Sequence, residues 1–380
     1  MTIIIILCWL SVLGWSYLAF GHGQFWEPSE LDETALPSSW PSVDIIIPAR
    51  NEAEVLPQSL PSLLQQNYPG NYHIYIVDDH SQDKTEEVIQ RLLDSSSTER
   101  VTLLKAPELP RGWSGKVAAM KEGLRYSHAD YVLFTDADIQ HSESNLRRLV
   151  ALAITKKNDL VSLMVRLHCE SFAEKLLVPA FVFFFMMLYP FRRVNDPQSR
   201  IAAAAGGVML LKRQALDNIG GLEPIKSALI DDCSLAKEIK KRGGPQNGQG
   251  QISLMLTHDV VSIRSYPAIQ DIWKMVARTA YTQLFYSPLL LVGTFIGMFI
   301  LYLFPVFMFI SFLGTSSITG LAVWLLMAVL YMPTVIFYRL PVAWAFSLPL
   351  AALIYIGATL DSARLYYQGK GGHWKGRSQA

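Results

Sequence analysis

The sequence predicts an α/β domain, a mostly parallel sheet flanked by helices, set between N- and C-terminal transmembrane helices. Short apolar runs and amphipathic runs alternate from residue 43 to residue 135, and parallel strands need a crossover helix between each pair. Of the 380 residues 51 % are apolar, high for a water-soluble chain, and the excess sits at the two ends. A formal net charge of +1 gives no reason to expect a nucleic-acid partner.

The first element is an apolar stretch over Ile3–Phe20. No Lys or Arg precedes it and no small-x-small site follows, so it reads as a retained anchor rather than a cleaved signal peptide. A soluble-looking region then occupies 40–265. Val43-Asp44-Ile45-Ile46-Ile47 reads as a buried strand that Pro48 stops. A helix follows through Val55, Leu56, Leu60, Leu63 and Leu64, then a strand at 73–77, a helix at 84–93, a strand at 101–104, a helix at 116–126 and a strand at 131–135. Beyond Tyr286 come apolar stretches at 288–313, 318–338 and 342–360. A helix rises about 1.5 Å per residue and hydrocarbon is about 30 Å thick, so each approaches spanning length. The expected organisation is an anchor at 1–22, the α/β domain, an amphipathic linker helix at 266–286, a membrane region of up to three spans at 287–362 and a basic tail at 363–380. Cys8, Cys169 and Cys233 show no metal-ligand spacing and suggest no disulfide framework.

Open parallel sheets bind ligands beyond the carboxyl ends of their strands, so the motifs are read there. The strand Tyr131-Val132-Leu133-Phe134-Thr135 runs into Asp136-Ala137-Asp138, two carboxylates whose alternation points them the same way. Like charges so placed call for a cation, and a hard divalent ion carrying a diphosphate fits; a polar strand-to-loop turn is the other reading. The first strand ends in Pro48-Ala49-Arg50-Asn51-Glu52 and the second in Asp78-Asp79-His80-Ser81-Gln82-Asp83. Asp79 suits a nucleobase imide or a ribose hydroxyl, whereas Ser81 and Asp83 read as caps of the next helix. Gly112-Trp113-Ser114-Gly115-Lys116 brings a cation and free amides to a helix start, which favours an anion. Its glycine spacing is not that of a Walker loop.

The ordered set Pro48-Ala49-Arg50-Asn51-Glu52, Val77-Asp78-Asp79-His80-Ser81, Gly115-Lys116, Asp136-Ala137-Asp138, Gly206-Gly207 and Asp231-Asp232 resembles the inverting glycosyltransferases of family 2, with the GT-A fold. The resemblance spans about 40–281. The 112–116 stretch, the segment at 272–281 and the flanking anchors resemble most the hopanoid-associated membrane glycosyltransferases. This resemblance implies a nucleotide-sugar donor, probed by Pro48, Ala49, Arg50, Glu52, Asp79, Trp113, Lys116, Asp136, Ala137, Gly207 and Arg278. It implies a Mg²⁺ or Mn²⁺ ion on Asp138 with Asp136, and Asp232 as general base with Asp231 beside it. The family usually has Glu-Asp where this chain has Asp231-Asp232, and dipole partnership at a helix start is the other reading of the two acids. Direct displacement at the anomeric carbon then inverts configuration without a covalent nucleophile.

Processive relatives carry Gln-x-x-Arg-Trp where this chain has Met275-Val276-Ala277-Arg278-Thr279. Arg278 reads as a phosphate contact or as a cation snorkelling at the membrane surface, and the missing Gln and Trp argue against a polysaccharide synthase. The segment 176–190, with Phe183-Phe184-Phe185 and a following Arg192-Arg193, reads as an interfacial element presenting a lipid acceptor, or as core. Nucleotide sugars place the domain on the cytosolic face of an inner or plasma membrane. Three full C-terminal spans would then put the tail residues Arg364, Lys370, Lys375 and Arg377 outside, against the positive-inside rule; a break at Pro305, Pro333, Pro341 or Pro349 would relieve this. A non-catalytic scaffold would need no base, and a transporter would carry ionisable residues in its spans, which are nearly free of them.

Overall fold

The computed structural model describes residues 2–27, 29–31, 34–96, 99–311, 314–370, 373–374 and 377–378; Lys375 of the basic tail lies outside them. The chain divides into a β-unit, Ser29–Leu167, Arg193–Arg264 and His373–Ala380, and a helical unit, Met1–Pro28, His168–Arg192 and Ser265–Gly372.

Among the described residues, the large sheet of the β-unit has eight strands: β1 (Val43–Ala49), β2 (Tyr72–Asp78), β3 (Val101–Lys105), β4 (Tyr131–Thr135), β5 (Ile139–His141), β6 (Leu160–Arg166), β7 (Val208–Lys212) and β8 (Ile252–Ser262). Their order is β3-β2-β1-β4-β7-β6-β8-β5. β7 is antiparallel to both neighbours and β5 to β8, while the other pairings are parallel. All seven residues of β1 are buried, as expected of a central strand covered on both faces. One face carries Ile45, Ile47, Ile74, Ile76 and Leu133 against Leu56, Leu60, Ile89, Leu146 and Leu149. On the other, Gly123 lets the Gly115–Tyr126 helix lie against Ile46 and Val77, where a Cβ would come 2.5 Å from Ile46 Cγ2.

Pro48 does not stop β1, which pairs with β2 as far as Ala49↔Asp78. The Ala49 carbonyl accepts from Asp79 N on the β2 side, so the missing amide of Pro48 faces the β4 side. Pairing with β4 has already ended there, at Ile46↔Phe134, and the proline costs no ladder bond. The reversal of β7 has a functional consequence: its amino end, with Gly206 and Gly207, reaches the sheet edge where β1, β2, β4 and β8 bring their carboxyl ends.

Among the described residues of the helical unit, four helices are long and apolar enough to cross a membrane: Ile3–Phe20, Pro288–Ile310, Ser317–Phe337 and Val342–Tyr367. Large apolar side chains such as Ile3, Leu289, Phe307 and Ile318 lie exposed on them, a surface suited to lipid. The Pro288–Ile310 run includes a π-helical turn at Phe299–Leu303. Pro305 has no N–H for the Leu301 carbonyl, and Trp15 Nε1 donates to that carbonyl instead at 2.8 Å.

Residues 176–188 of the 176–190 segment are the body of a helix, Phe172–Leu188, packed within this unit, and Tyr189 caps its end. Ser171 and Glu174 form a capping box at its start. Glu174 also accepts from Tyr266 N at 2.7 Å and His168 Nδ1 at 2.8 Å. Burial raises its pKa, but these hydrogen bonds outweigh burial and bring it down to about 2. The three phenylalanines do not form an exposed docking strip. Phe183 is fully enclosed and meets Phe25 and Tyr331 edge-on at 5.2 Å, while half-buried Phe184 meets Tyr302 and Tyr355. Phe183→Ala should therefore cost about 3–5 kcal/mol of stability, read as a lower unfolding midpoint in detergent. An unchanged midpoint with lost transfer to lipid would instead return this ring to a docking role.

Candidate active site

The site is assembled at the carboxyl edge of the β-unit sheet. Two loops are laced together there. Asn51 N donates to Ser81 Oγ at 2.9 Å, Asn51 Oδ1 accepts from Gln82 N at 2.8 Å, and Glu52 N donates to Thr85 Oγ1 at 2.8 Å. Ser81 Oγ in turn donates to Asp78, and Asp83 accepts from Ala53 N at 3.2 Å as well as from Thr85 N at 3.0 Å. Ser81 and Asp83 thus tie the β1 and β2 loops together, beyond the simple helix capping expected of them. Arg50 is buried and turned toward Asp79, with Nη1 donating to the Asp79 and His80 carbonyls and lying 3.7 Å from Asp79 Oδ2. Pro48 and Ala49 are the last residues of β1.

Asp136, Ala137 and Asp138 form a turn between β4 and β5 and are not strand residues. Their carboxylates consequently face different cations, contrary to the alternation that would aim them alike. Asp136 Oδ1 lies 2.8 Å from Lys116 Nζ, whereas Asp138 Oδ2 lies 2.9 Å from Arg264 Nε. Arg264 Nη2 also holds Glu52 Oε2 at 2.7 Å. The turn is anchored from below: Ser59 Oγ donates to Ala137 O at 2.5 Å, and Thr135 Oγ1 donates to Gly207 O at 2.8 Å. Because Thr135 uses its proton on Gly207, it accepts from His141 Nε2, and His141 Nδ1 accepts from Asn145 Nδ2. Burial lowers the His141 pKa to about 3, so this support stays neutral.

The Asp231–Arg242 helix brings the remaining acids. Asp231 Oδ2 lies 3.4 Å from Lys116 Nζ. Asp232 Oδ2 accepts from Gly206 N at 2.9 Å and its Oδ1 from Cys233 N at 2.7 Å. A side chain at position 206 would press on this contact, since a Cβ there would stand 3.2 Å from Asp232 Oδ2 and 3.3 Å from Lys116 Nζ. Burial, reinforced by the Asp231 charge, pushes the Asp232 carboxyl up to about 6. Burial also raises Asp136, with Asp138 and Asp231 adding to it against the pull of Lys116. For Lys116 burial works downward, but the Asp136 and Asp231 carboxylates outweigh it and raise its pKa. Trp113 is buried beside this helix start and carries Lys121 Nζ 4.1 Å from its ring centroid.

Five carboxylates, on Asp136, Asp138, Asp231, Asp232 and Glu52, thus stand around two cations, Lys116 and Arg264. Excess negative charge of this kind fits a divalent cation. Among the described residues no three His, Cys, Asp or Glu side chains gather as a ready cage. Asp136 and Asp138 offer hard oxygen ligands from one turn, and a Mg²⁺-type ion bound through one or two carboxylates completes its shell with substrate phosphates.

Residues 44–220 match the model of glycosyl transferase family 2. That segment includes the β1 and β2 loops, Lys116 and the Asp136–Asp138 turn; Asp231, Asp232 and Arg264 lie beyond it. The chain is 26 % identical over 198 residues to the β-monoglucosyldiacylglycerol synthase of Trichormus variabilis, covering 52 % of this chain and 41 % of the synthase. It is 35 % identical over 117 residues to the undecaprenyl-phosphate 4-deoxy-4-formamido-L-arabinose transferase of Pseudomonas savastanoi, covering 29 % and 32 %. The chain therefore spans less than half the length of these curated relatives. A mannosyltransferase from Pyrobaculum calidifontis, solved in complex with GDP-Man and Mn²⁺, superposes with a TM-score of 0.54 at 17 % identity, over 93 % of this chain and 99 % of that one. The fold is a GT-A-like α/β fold.

Most of the residues singled out from the sequence come together at this edge, including Glu52, Asp79, Lys116, Asp136, Ala137, Asp138, Gly207, Asp231 and Asp232. Arg278 belongs to the helical unit, on the exposed face of the Ile269–Gln283 helix. Sequence reasoning missed Arg264. Its signal was a cation two residues past the end of an apolar strand, legible only once β8 is known to end at the same edge as β4.

Proposed function

We propose that the chain is an inverting, metal-dependent membrane glycosyltransferase moving a sugar from a nucleotide-diphosphate donor, a UDP-sugar, to a lipid hydroxyl, with hopanoids in the acceptor class. The observation that carries this reading is the half-buried Asp232 carboxylate, raised to about 6 and held by two backbone amides beside Lys116. A base of that strength is still ionised at neutral pH and suits removal of a hydroxyl proton as the new bond forms. The family 2 match and the lipids named in the two curated relatives support the transferase chemistry and the lipid acceptor.

In this reading Asp79, held by Arg50, meets the nucleoside, and the amides around Gly207 and Lys116 meet the diphosphate. A divalent ion on Asp138 with Asp136 would neutralise charge growing on the leaving group. Asp232 receives the acceptor proton, and the Gly206 and Cys233 amides hold its carboxylate in place. Asp231 keeps Lys116 charged and adjacent to Asp136.

Incubating membranes that contain the full chain with radiolabelled UDP-sugars and GDP-mannose, then extracting lipids, tests the reading. Label in the lipid phase that Asp232→Asn abolishes is the expected result. Label confined to high-molecular-weight glycan would overturn it. The raised pKa also sets a pH profile: Asp232 works only when deprotonated, so kcat/KM should fall about tenfold per pH unit below about 6 and level off above it. A profile flat from pH 5 to 8 would remove Asp232 from the base role.

A further inference from the structure

The two ends of the C-terminal apolar region meet. Tyr286, just before the Pro288–Met298 helix, stacks on Tyr366 with ring centroids 4.5 Å apart, at the end of the Leu348–Tyr367 helix. Tyr281 and Tyr367 share a hydrogen bond at 2.9 Å between their hydroxyls, and Tyr281 N donates to Ser362 Oγ at 3.0 Å. Farther along, Leu291, Phe295 and Met298 line one cavity with Ile356 and Leu360. The first and last apolar helices of this region therefore run side by side in opposite directions, one beginning where the other ends. Three full crossings would put those two points about 30 Å apart on opposite faces.

We propose that the C-terminal region enters and leaves the bilayer by the same face, so that its three apolar segments make an even number of crossings. The reversal that this requires is present in the backbone. Arg339 adopts a left-handed φ of 55° and Pro341 is extended. The Val342–Ser347 turn then doubles back along the middle of the Thr315–Phe337 helix, where Trp324 Nε1 donates to Phe346 O at 3.2 Å.

The face so defined has the chemistry of a membrane surface. Tyr281, Tyr286, Tyr366 and Tyr367 gather there, as aromatic residues do at headgroup level, and Arg364 and Lys370 follow on the last helix and just past it. The Ile269–Gln283 helix, which delivers the chain to this point, exposes Lys274 and Arg278 and carries Asp271, too much charge to cross hydrocarbon. An even count thus removes the conflict with the positive-inside rule that three full spans create.

The proposal rests on the membrane reading, and the experiment separates the two. The full chain, with Cys8, Cys169 and Cys233 replaced by Ser, receives one cysteine at a time: Lys274→Cys, Thr315→Cys or Lys370→Cys. Carbonate extraction is scored first; release of the protein from the vesicles would overturn the membrane reading and the proposal with it. A membrane-impermeant maleimide is then applied to right-side-out and inverted vesicles. Labelling of positions 274 and 370 from the same face is the expected result, and for two crossings position 315 labels from the other. Labelling of 274 and 370 from opposite faces, with the protein carbonate-resistant, would overturn the even count alone.

Discussion

Asp232→Asn is expected to lower kcat at least ~10²-fold while nucleotide-sugar affinity stays near that of the parent chain. General-base loss accounts for about 10²–10⁴-fold, and the asparagine keeps the shape of the carboxylate. Its Oδ1 can still accept one of the two backbone hydrogen bonds, from Gly206 N or Cys233 N. The Lys116 contacts to Asp136 and Asp231 do not pass through position 232, so the helix start and the turn keep their partners. Single-turnover rates and equilibrium binding of a nucleotide diphosphate separate the two effects. A variant whose binding falls as far as its turnover would make Asp232 a ligand contact and pass the base role to Asp231.

Asp138→Asn should remove divalent-cation-dependent turnover, by about 10²–10³-fold, the range for losing one group that stabilises developing charge. The fold should survive, because Arg264 keeps its 2.7 Å contact with Glu52 and Ile263 N still reaches the Asp138 backbone carbonyl at 3.0 Å. Mn²⁺ binding followed by electron paramagnetic resonance, with a nucleotide diphosphate and no acceptor, reads the site independently of catalysis. Chelator-resistant turnover in the parent chain would sink the metal assignment, as would an Asn variant that binds and turns over normally.

Much of the β-unit was legible from residues. The alternation up to β4 was readable because each parallel strand there is a short apolar run separated from the next by a helix of a different period. β5, β6, β8 and the Asn145–Thr155 helix escaped. β6 and β8 are long apolar runs that periodicity alone assigns to neither state, and their pairing with each other and with β7 makes them strands. β5 has three residues and exists through its contact with β8. The same ambiguity surrounded the Phe183 run: apolar bulk beside Arg192 and Arg193 fits an interface as well as a core, and only the contacts with Phe25 and Tyr331 show that Phe183 itself is enclosed.

By itself the sequence determined the α/β class, the apolar ends and the acids that collect at one edge, because these follow from local periodicity, hydropathy and strand-end chemistry. Only the tertiary structure decided which charges meet. Lys116 and Arg264 are far from Asp136 and Asp138 in sequence, and a reversed β7 with a distant β8 carries their surroundings to the same edge. It also decided that Asp136 and Asp138 part company, since a turn follows no period of two, and that Tyr286 returns to Tyr366, since chain reversals deep in an apolar region leave no mark on hydropathy.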